Sequence, residues 1–170
     1  MQRSPVRRFK NEEYEAQGIK LVDSLEDCDI ILAVKEVRID YLIPNKVYFY
    51  FSHTTKQQPY NRNLLKAMLV KNITMIDYEN LKNEKGRRLI GFGRYAGIVG
   101  CYNTFYAYGQ RSGAYTLKRA YKCKDRSEME AELAKVTLPK DYKIVLTGNG
   151  RVANGAMEIL VILRLSTKIC

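Results

Sequence analysis

The sequence predicts an α/β protein in which a parallel sheet is flanked by helices. Short apolar segments alternate with helical stretches along the chain, as in folds built from β-α-β units. The segment Asp29–Val34 is apolar along most of its length, which is typical of a strand buried on both faces. Near the C-terminus, the strand-like run Tyr142–Thr147 leads into a glycine-spaced turn and an apolar helix.

The predicted strands are short β-branched or aromatic runs bounded by turn residues. They are Ile19–Val22, Asp29–Val34, Val47–Phe51, Ile73–Ile76, Leu89–Phe92 and Tyr142–Thr147.

The predicted helices follow from apolar residues at helical spacing and from start and stop signals. They are Glu12–Gln17, Pro59–Lys71 with Leu64, Leu65, Met68 and Leu69 on one face, Arg94–Gln110, a helix opened by a capping box at Ser127–Glu130, and one beginning at Ala156. Each glycine within the long helix Arg94–Gln110 costs about 1 kcal/mol relative to alanine. These glycines therefore predict close packing of that helix against another element.

Composition limits the function classes. The chain has 170 residues, of which 46% are hydrophobic and 28% charged, as expected for a folded globular protein. No apolar run approaches the ~20 residues that span a bilayer, and the basic N-terminus lacks the apolar core of a signal peptide. The four cysteines show no metal-type spacing and no C-x-x-C motif. We therefore expect no metal site, no membrane association and a reducing, cytoplasmic location.

The net charge of +11 raises the question of nucleic-acid binding. The basic residues fall into separate clusters at Arg3–Lys10, Arg87–Arg88 and Lys118–Arg126, and no nucleic-acid-binding motif accompanies them. We expect a solvated basic surface that attracts acidic metabolites, and no nucleic-acid partner. A basic nucleic-acid-binding domain is the less favoured alternative.

Two polar residues directly follow two predicted strands. Lys35 follows the run that ends at Val34, and His53 lies just after Val47–Phe51. Since the carboxyl ends of parallel strands share one edge of a sheet, both side chains are predicted to face one catalytic site there. Histidine titrates near neutral pH, and a partly buried lysine loses its charge more easily than an exposed one. In the alternative interpretation Lys35 is a surface residue paired with Glu36, and His53 is an ordinary loop residue.

Three further residues are candidates for the same site. Glu79 follows the strand Ile73–Ile76 and is predicted to tune the charge of Lys35 or His53. Lys56 and Gln58 follow closely after His53 and are predicted to bind a substrate carboxylate. The alternative is that all three are solvated loop residues.

The glycine-spaced turn predicts a dinucleotide site. Gly148 permits a tight turn, Gly150 lets the backbone approach a pyrophosphate, and Ala153 is the third small residue of a G-x-G-x-x-G/A pattern. With Arg151 and Val152 they are predicted to bind NAD or NADP at the start of a helix, where free N–H groups attract phosphate.

Several blocks along the chain resemble a known family. They are Ile30–Glu36, Phe51–Gln58, Asp77–Glu79, Gly86–Gly97 and Gly148–Gly155. In this order they resemble the N-terminal half of the alanine dehydrogenase and nicotinamide nucleotide transhydrogenase superfamily, and most closely the lysine-forming saccharopine dehydrogenases.

The resemblance implies a Rossmann/flavodoxin-like substrate domain over residues 1–135, including a linking helix, and the first strand, loop and helix of an NAD(P)-binding Rossmann domain over residues 136–170. It implies a hydride transfer between NAD(P) and the Cα–N bond of an amino acid through an imine, with an amino-acid or keto-acid substrate in the cleft between the domains. It further implies acid–base roles for Lys35 and His53, and a neighbouring carboxylate at Glu79.

Both ends depart from the family pattern. No strand precedes the stretch that matches Arg3–Arg8, and Val161–Cys170 does not resemble the second strand of a dinucleotide domain. We therefore expect a truncated chain that binds NAD(H) weakly, is inactive by itself and self-associates through the apolar face of Ala156–Leu165. The alternative to an enzyme is an inactive remnant, or an amino-acid-binding module of the same fold.

Overall fold

A computed structural model describes residues 1–165 and 168–169. The chain forms two compact units, Met1–Ile90 and Gly91–Cys170. The predicted division into a substrate domain and a dinucleotide domain near residue 135 stays a prediction, because compactness does not tell which residues bind which ligand. Within the described part of the chain, no helix is both long enough and apolar enough to cross a bilayer.

The first unit contains a parallel sheet, which confirms the predicted α/β class. Its strands are β1 (Ile30–Leu32), β2 (Val47–Tyr50) and β3 (Thr74–Asp77), in the order β1-β2-β3. Both pairings are parallel, so the three carboxyl ends lie at one edge of the sheet.

The core of this unit lies on one face of the sheet. Tyr48 and Tyr50 alternate along β2 and are almost completely buried, together with Leu64 and Met68 of a helix over Arg62–Val70. A single turn of 3-10 helix, Pro59–Asn61, precedes this helix.

The predicted apolar face of that helix is only partly correct. Leu65 and Leu69 are 43% and 73% exposed, whereas Leu64 and Met68 are buried. A helix advances about 100° per residue, so only a narrow stripe of a short helix faces the sheet. Helix α1 covers Asn11–Glu15, and the helix over Arg62–Val70 is α2.

Two predicted strands do not form. Val22 makes only a single parallel bridge to Gln2, and the region of Leu89–Phe92 has only an antiparallel bridge between Lys82 and Arg88. Each segment pairs with a neighbouring segment at one residue only. A strand requires a continuous ladder of main-chain hydrogen bonds, and one bridge does not form it.

The second unit is built on two closely crossing helices, α3 (Gly93–Ser112) and α5 (Arg151–Ile162). A Cβ atom at Gly97 would lie 1.9 Å from the Val152 carbonyl oxygen, and one at Gly155 would lie 1.9 Å from the Arg94 carbonyl oxygen. The glycines therefore allow backbone-to-backbone contact, as the sequence predicted.

Helix α4 (Arg126–Glu132) begins earlier than the predicted capping box, because the Asp125 side chain accepts the hydrogen bond from the Glu128 N–H at 2.9 Å. An ion-pair network joins three helices: Glu158 of α5 accepts hydrogen bonds from Arg94 at 2.6 Å and from Arg126 at 2.8 Å. These two hydrogen bonds lower the pKa of Glu158 from 4.5 to about 2.

The end of the chain differs from the prediction in two ways. Strands β4 (Val145–Leu146) and β5 (Lys168–Ile169) pair in parallel, so a second strand does follow α5. Ile159 and Leu160 of α5 are 0% and 1% exposed, because α3 packs over them. The predicted exposed apolar face is therefore wrong for these residues, and self-association stays a prediction without that support.

We predict that Gly97→Ala destabilises the protein by about 1–3 kcal/mol, since the added methyl group overlaps the Val152 carbonyl and the helices must separate. Gly100→Ala is the matched control, because it lies in the same helix with nothing within 4 Å of an added Cβ. This control should stabilise by up to about 1 kcal/mol. Urea unfolding measures both, and equal effects would contradict the close crossing.

We predict that the stabilising effect of Glu158 disappears in acid. Its pKa is lower in the folded state, so its contribution is complete above pH 4.5 and is lost as the pH falls towards about 2. The difference in free energy of unfolding between wild type and Glu158→Gln should therefore shrink over this interval. Glu84→Gln, in an exposed turn, controls for the loss of one carboxylate. A difference that stays constant with pH would contradict the network.

Candidate active site

The candidate site lies at the carboxyl edge of the first unit's sheet. The ladder between β1 and β2 continues beyond the strands through hydrogen bonds from Ala33 N to Phe49 O at 2.9 Å and from Phe51 N to Val34 O at 3.4 Å. The segments that begin with Lys35 and Ser52 therefore leave the sheet side by side. Asp77 ends β3 next to Tyr50, the last residue of β2.

His53 is paired with a carboxylate that the sequence placed beside Lys35. Its Nδ1 makes a short hydrogen bond and ion pair with Glu36 Oε1, and the two side chains are 19% and 30% exposed. Burial by itself raises the pKa of Glu36, but the His53 hydrogen bond and the charges of His53 and Lys35 outweigh it, and the net pKa is lowered. Glu36 therefore stays ionised, and it leaves Nε2 as the His53 nitrogen that can exchange a proton with a ligand.

Lys35 and His53 both lie against the ring of Phe51. The Lys35 Nζ is 5.4 Å from the centroid of that ring, and the His53 ring centroid is 6.1 Å from it at an interplanar angle of 28°. Tyr78 packs edge-on against the same ring at 5.6 Å. The structure thus brings Lys35 and His53 beside one aromatic side chain, and Glu36 bonds to His53. Lys35 is exposed, so the expected partial burial of this lysine is wrong.

The backbone of His53 is held in an uncommon conformation. Its φ of 54° and ψ of 11° are left-handed, which costs a non-glycine residue roughly 1 kcal/mol or more. The neighbouring Ser52 is completely buried, donates a hydrogen bond to Asp77 Oδ2 at 2.5 Å and accepts one from Thr54 N at 3.1 Å. This tie between β2 and β3 fixes the turn, and strain that is maintained in this way is typical of functional positions.

Glu79 forms a second charged group. Its side chain is 4% exposed, and its Oε1 lies 2.8 Å from an Arg88 nitrogen and 3.4 Å from Lys56 Nζ. These contacts are close enough for ion pairs but are not aligned as hydrogen bonds, so neither carboxylate oxygen has a hydrogen-bond donor among the described residues. Two cations therefore contact one buried carboxylate.

The positions of the predicted residues differ in detail from the expectation. Glu79 pairs with Lys56 and Arg88, although the sequence suggested that it acts on Lys35 or His53. Gln58 is exposed, and its Oε1 accepts a hydrogen bond from the Tyr60 hydroxyl at 2.6 Å.

Two residues of the site were missed by sequence reasoning. Glu36 was considered only as a surface partner of Lys35, although its position at the same strand end was a usable signal. Arg88 was noted only as part of a basic cluster. Arg88 lies in a loop that folds back on itself through a single bridge between Arg88 and Lys82. No spacing rule in the sequence predicts that this loop returns to Glu79.

In the second unit, the glycine loop has the properties that a pyrophosphate needs. Gly148 has a φ of +85°, which only glycine adopts readily, and a Cβ at Gly150 would meet nothing within 4 Å. Helix α5 begins at Arg151, directly after the loop and before the predicted start at Ala156. The N–H groups of its first turn have no acceptor within the helix, so the residues present fit a dinucleotide phosphate.

Comparisons with known proteins agree with this architecture. The family described as "Alanine dehydrogenase/PNT, N-terminal domain" matches residues 1–99. The alpha-aminoadipic semialdehyde synthase of Arabidopsis thaliana is 34% identical over 168 residues, covering 88% of this chain and 16% of that protein. The saccharopine dehydrogenase (NAD(+), L-lysine-forming) of Neurospora crassa is 35% identical over 105 residues, covering 59% of this chain and 28% of that protein.

A solved structure of L-alanine dehydrogenase aligns with a TM-score of 0.62 at 18% identity, covering 95% of this chain and 42% of that one, which supports a shared fold. The mitochondrial alpha-aminoadipic semialdehyde synthase of Mus musculus is 32% identical over 176 residues, covering 94% of this chain and 19% of that protein. The chain therefore spans 16% to 28% of the length of these curated relatives. Because the family matches more than half of the chain, including all three strands of the first sheet, the chain belongs to the alanine dehydrogenase/PNT N-terminal domain family.

Proposed function

We propose that this chain supplies the substrate-binding and proton-transfer part of an NAD(P)-dependent oxidoreductase of amino-acid metabolism that acts on a CH–NH bond, as saccharopine dehydrogenase does. The observation that carries the proposal is the cluster of Lys35, Glu36 and His53 around Phe51 at the carboxyl edge of a parallel sheet. The names of the relatives, which include saccharopine dehydrogenase, support the reaction class. A cytoplasmic location remains part of the proposal.

The reaction requires proton transfers at two atoms. Oxidation of a secondary amine removes a hydride from Cα and a proton from nitrogen, which leaves a carbon–nitrogen double bond. Water then adds to that carbon and loses a proton, and the adduct separates into a keto acid and a free amine once the nitrogen is protonated. Groups that accept and return protons at the nitrogen and at the water are therefore needed.

His53 and Lys35 are suited to these two transfers. With Nδ1 held by Glu36, His53 accepts the proton of the attacking water at Nε2, and the adjacent carboxylate stabilises the imidazolium that forms. Lys35 exchanges a proton with the substrate nitrogen. The Phe51 ring lies beside both side chains and provides an apolar surface next to them.

The second charged group is suited to bind the substrate. Amino acids and keto acids both have a carboxylate, and the cationic side chains of Lys56 and Arg88 are proposed to attract it. The Gln58 amide lies in the same loop as Lys56 and adds a hydrogen-bond donor. This assignment makes Arg88 a binding residue in addition to those predicted from sequence.

The glycine loop is suited to bind NAD or NADP. In this proposal the backbone N–H groups at the start of α5, from Arg151 to Ala153, bind the pyrophosphate, and Gly148 and Gly150 leave the space for its approach. When bound, the nicotinamide supplies the hydride acceptor of the oxidation.

The alternative function is a module that binds an amino acid without oxidising it. The observation that favours this alternative is the small sheet of the second unit, in which, among the residues that the structure describes, β4 and β5 pair over two residues each. A glycine loop that follows so short a strand is poorly fixed in position for binding a dinucleotide.

A chimera tests the proposal. Residues 1–99 of this chain replace the matching segment of the Neurospora crassa saccharopine dehydrogenase, and saccharopine oxidation is followed by the formation of NADH. We predict that Lys35→Met and His53→Gln each lower kcat about 10²–10⁴-fold, because general acid–base groups contribute by this amount. Lys66→Met, which removes an exposed lysine from α2, is the matched control and should leave kcat unchanged.

The KM for NAD(+) separates the proposed role from a structural one. It should remain close to its parent value in both variants, since neither residue is proposed to touch the dinucleotide. Variants as active as the parent chimera would exclude the catalytic assignment. A chimera that binds saccharopine in calorimetry but never oxidises it would favour the binding module.

A further inference from the structure

A buried carboxylate is bonded to the turn that carries His53. Asp77 ends β3 and is 7% exposed. Its Oδ2 accepts a hydrogen bond from the Ser52 hydroxyl at 2.5 Å, and its Oδ1 accepts one from the Glu79 N–H at 2.8 Å. Both donors are neutral, and Ser52 is completely buried. The proposed reaction uses neither Asp77 nor Ser52, so this buried pair at the edge of the site has a role of its own.

Ser52 connects Asp77 to the backbone on the far side of His53. The Ser52 oxygen accepts a hydrogen bond from the Thr54 N–H at 3.1 Å, and the two hydroxyl oxygens lie 2.7 Å apart. His53 O accepts a hydrogen bond from the Lys56 N–H at 3.3 Å, where a single turn of 3-10 helix over Thr54–Lys56 begins. The backbone of His53 is therefore held on both sides in its left-handed conformation.

A second serine turn shows that the local hydrogen bond by itself does not produce a left-handed residue. The Ser24 oxygen accepts a hydrogen bond from the Glu26 N–H at 3.1 Å, which matches the spacing and distance in the His53 turn. Leu25, between them, has a negative φ. Ser24 is exposed, whereas Ser52 is buried and bonded to Asp77. The bond to Asp77 is thus the feature that distinguishes the turn with the left-handed residue.

The left-handed backbone decides where the imidazole lies. The φ and ψ angles of a residue fix the direction in which its Cα–Cβ bond leaves the chain, so an extended His53 would direct its ring elsewhere. In the observed conformation the ring lies against Phe51, with Nδ1 bonded to Glu36. A left-handed conformation is uncommon for a residue other than glycine, and it persists only where the surrounding structure enforces it.

We propose that Asp77 and Ser52 are positioning residues for His53. The Asp77 carboxylate holds Ser52, and Ser52 keeps His53 left-handed with its Nδ1 on Glu36. The catalytic consequence rests on the proposed function, in which His53 accepts a proton at Nε2. The constraint consists of hydrogen bonds and does not depend on charge. An asparagine in place of Asp77 can accept from the Glu79 N–H and donate to Ser52, which then donates to Thr54 Oγ1.

The imidazole of the chain's only histidine reports on this positioning without any measurement of activity. In NMR spectra of the 170-residue chain with isotope-labelled histidine, the Nδ1 proton bonded to Glu36 should be protected from exchange with water. We predict that Ser52→Ala and Asp77→Ala each accelerate its exchange by at least about tenfold. Asp77→Asn should retain the protection, because it restores the hydrogen bonds. Ser24→Ala, the matched control, removes a hydroxyl from the similar turn and should have no effect.

The Ala33 amide separates lost positioning from lost structure. It donates to Phe49 O at 2.9 Å in the sheet, and its exchange rate should be the same in all four variants. Equal loss of protection at Ala33 and at the imidazole would show that Asp77 supports the sheet in general, which would overturn the proposal. Unchanged exchange of the Nδ1 proton in Ser52→Ala and Asp77→Ala would also overturn it, as would loss of protection in Asp77→Asn.

Kinetics of the chimera with the Neurospora crassa saccharopine dehydrogenase test whether the pair acts through His53. Ser52→Ala should lower kcat about 10–10²-fold, since a small displacement of a catalytic group is costly, and should leave the KM for saccharopine unchanged. Added to His53→Gln, the same substitution should change kcat by less than about twofold, because the residue through which it acts is already removed.

The two backgrounds distinguish the possible outcomes. An equal loss of kcat with and without His53 would show a general structural effect and would contradict the positioning role. A chimera that is inactive before any substitution would contradict the proposed function alone, and the Nδ1 proton of His53 would still decide whether Asp77 and Ser52 position the ring.

Discussion

The parallel pairing of β2 with β1 and β3 is the constraint on which the candidate site depends. Because the three strands run in one direction, their following loops leave the sheet at the same edge. A shift of one residue in the register of β2 would turn Tyr48 and Tyr50 out of the core and reverse the side from which the chain enters the His53 turn. The burial of these tyrosines therefore fixes the core and the position of the site together.

The charges at this edge are divided between two groups. Glu36 forms an ion pair with His53 and feels the charge of Lys35, while Glu79 forms ion pairs with Lys56 and Arg88. A buried carboxylate such as Glu79 is stable in its charged form only beside cations. The ion pairs with Glu79 therefore hold Lys56 and Arg88 near the carboxyl edge of the sheet.

Hydrogen bonds to the Asp77 carboxylate connect the His53 turn with Glu79. Ser52 bonds to Asp77, and Asp77 Oδ1 accepts from the Glu79 N–H at 2.8 Å. In this way the turn that holds His53, a residue proposed for proton transfer, is joined to Glu79, which pairs with the residues proposed to bind the substrate carboxylate.

The parallel direction and approximate ends of β1, β2 and β3 were predictable from the sequence, because their apolar runs are bounded by polar residues and alternate with helical stretches. This was sufficient to place Lys35 and His53 at one edge, where both lie beside Phe51. The ion-pair partners were not predictable. The pair of Glu79 with Arg88 depends on the course of a loop, and the pair of His53 with Glu36 depends on the left-handed backbone of His53.

In the second unit, too, local motifs were predictable from the sequence and long-range contacts were not. The glycine loop was identified by its spacing, but the cover over Ile159 depends on the crossing of α3 with α5, which is a long-range contact. The start of α5 at Arg151 was not predicted because polar residues precede its apolar stretch. Strand β5 was not predicted because its residues have no strand pattern.

His53 is the chain's only histidine, so the Hε1 and Hδ2 signals of its imidazole are the only histidine ring signals in a proton NMR spectrum, and the Hε1 signal tests the shared site most directly. We predict that saccharopine shifts the His53 Hε1 signal, that Lys35→Met abolishes the shift, and that Lys66→Met does not. A ring signal that stays in place while other resonances show saturable binding would contradict a site shared by Lys35 and His53.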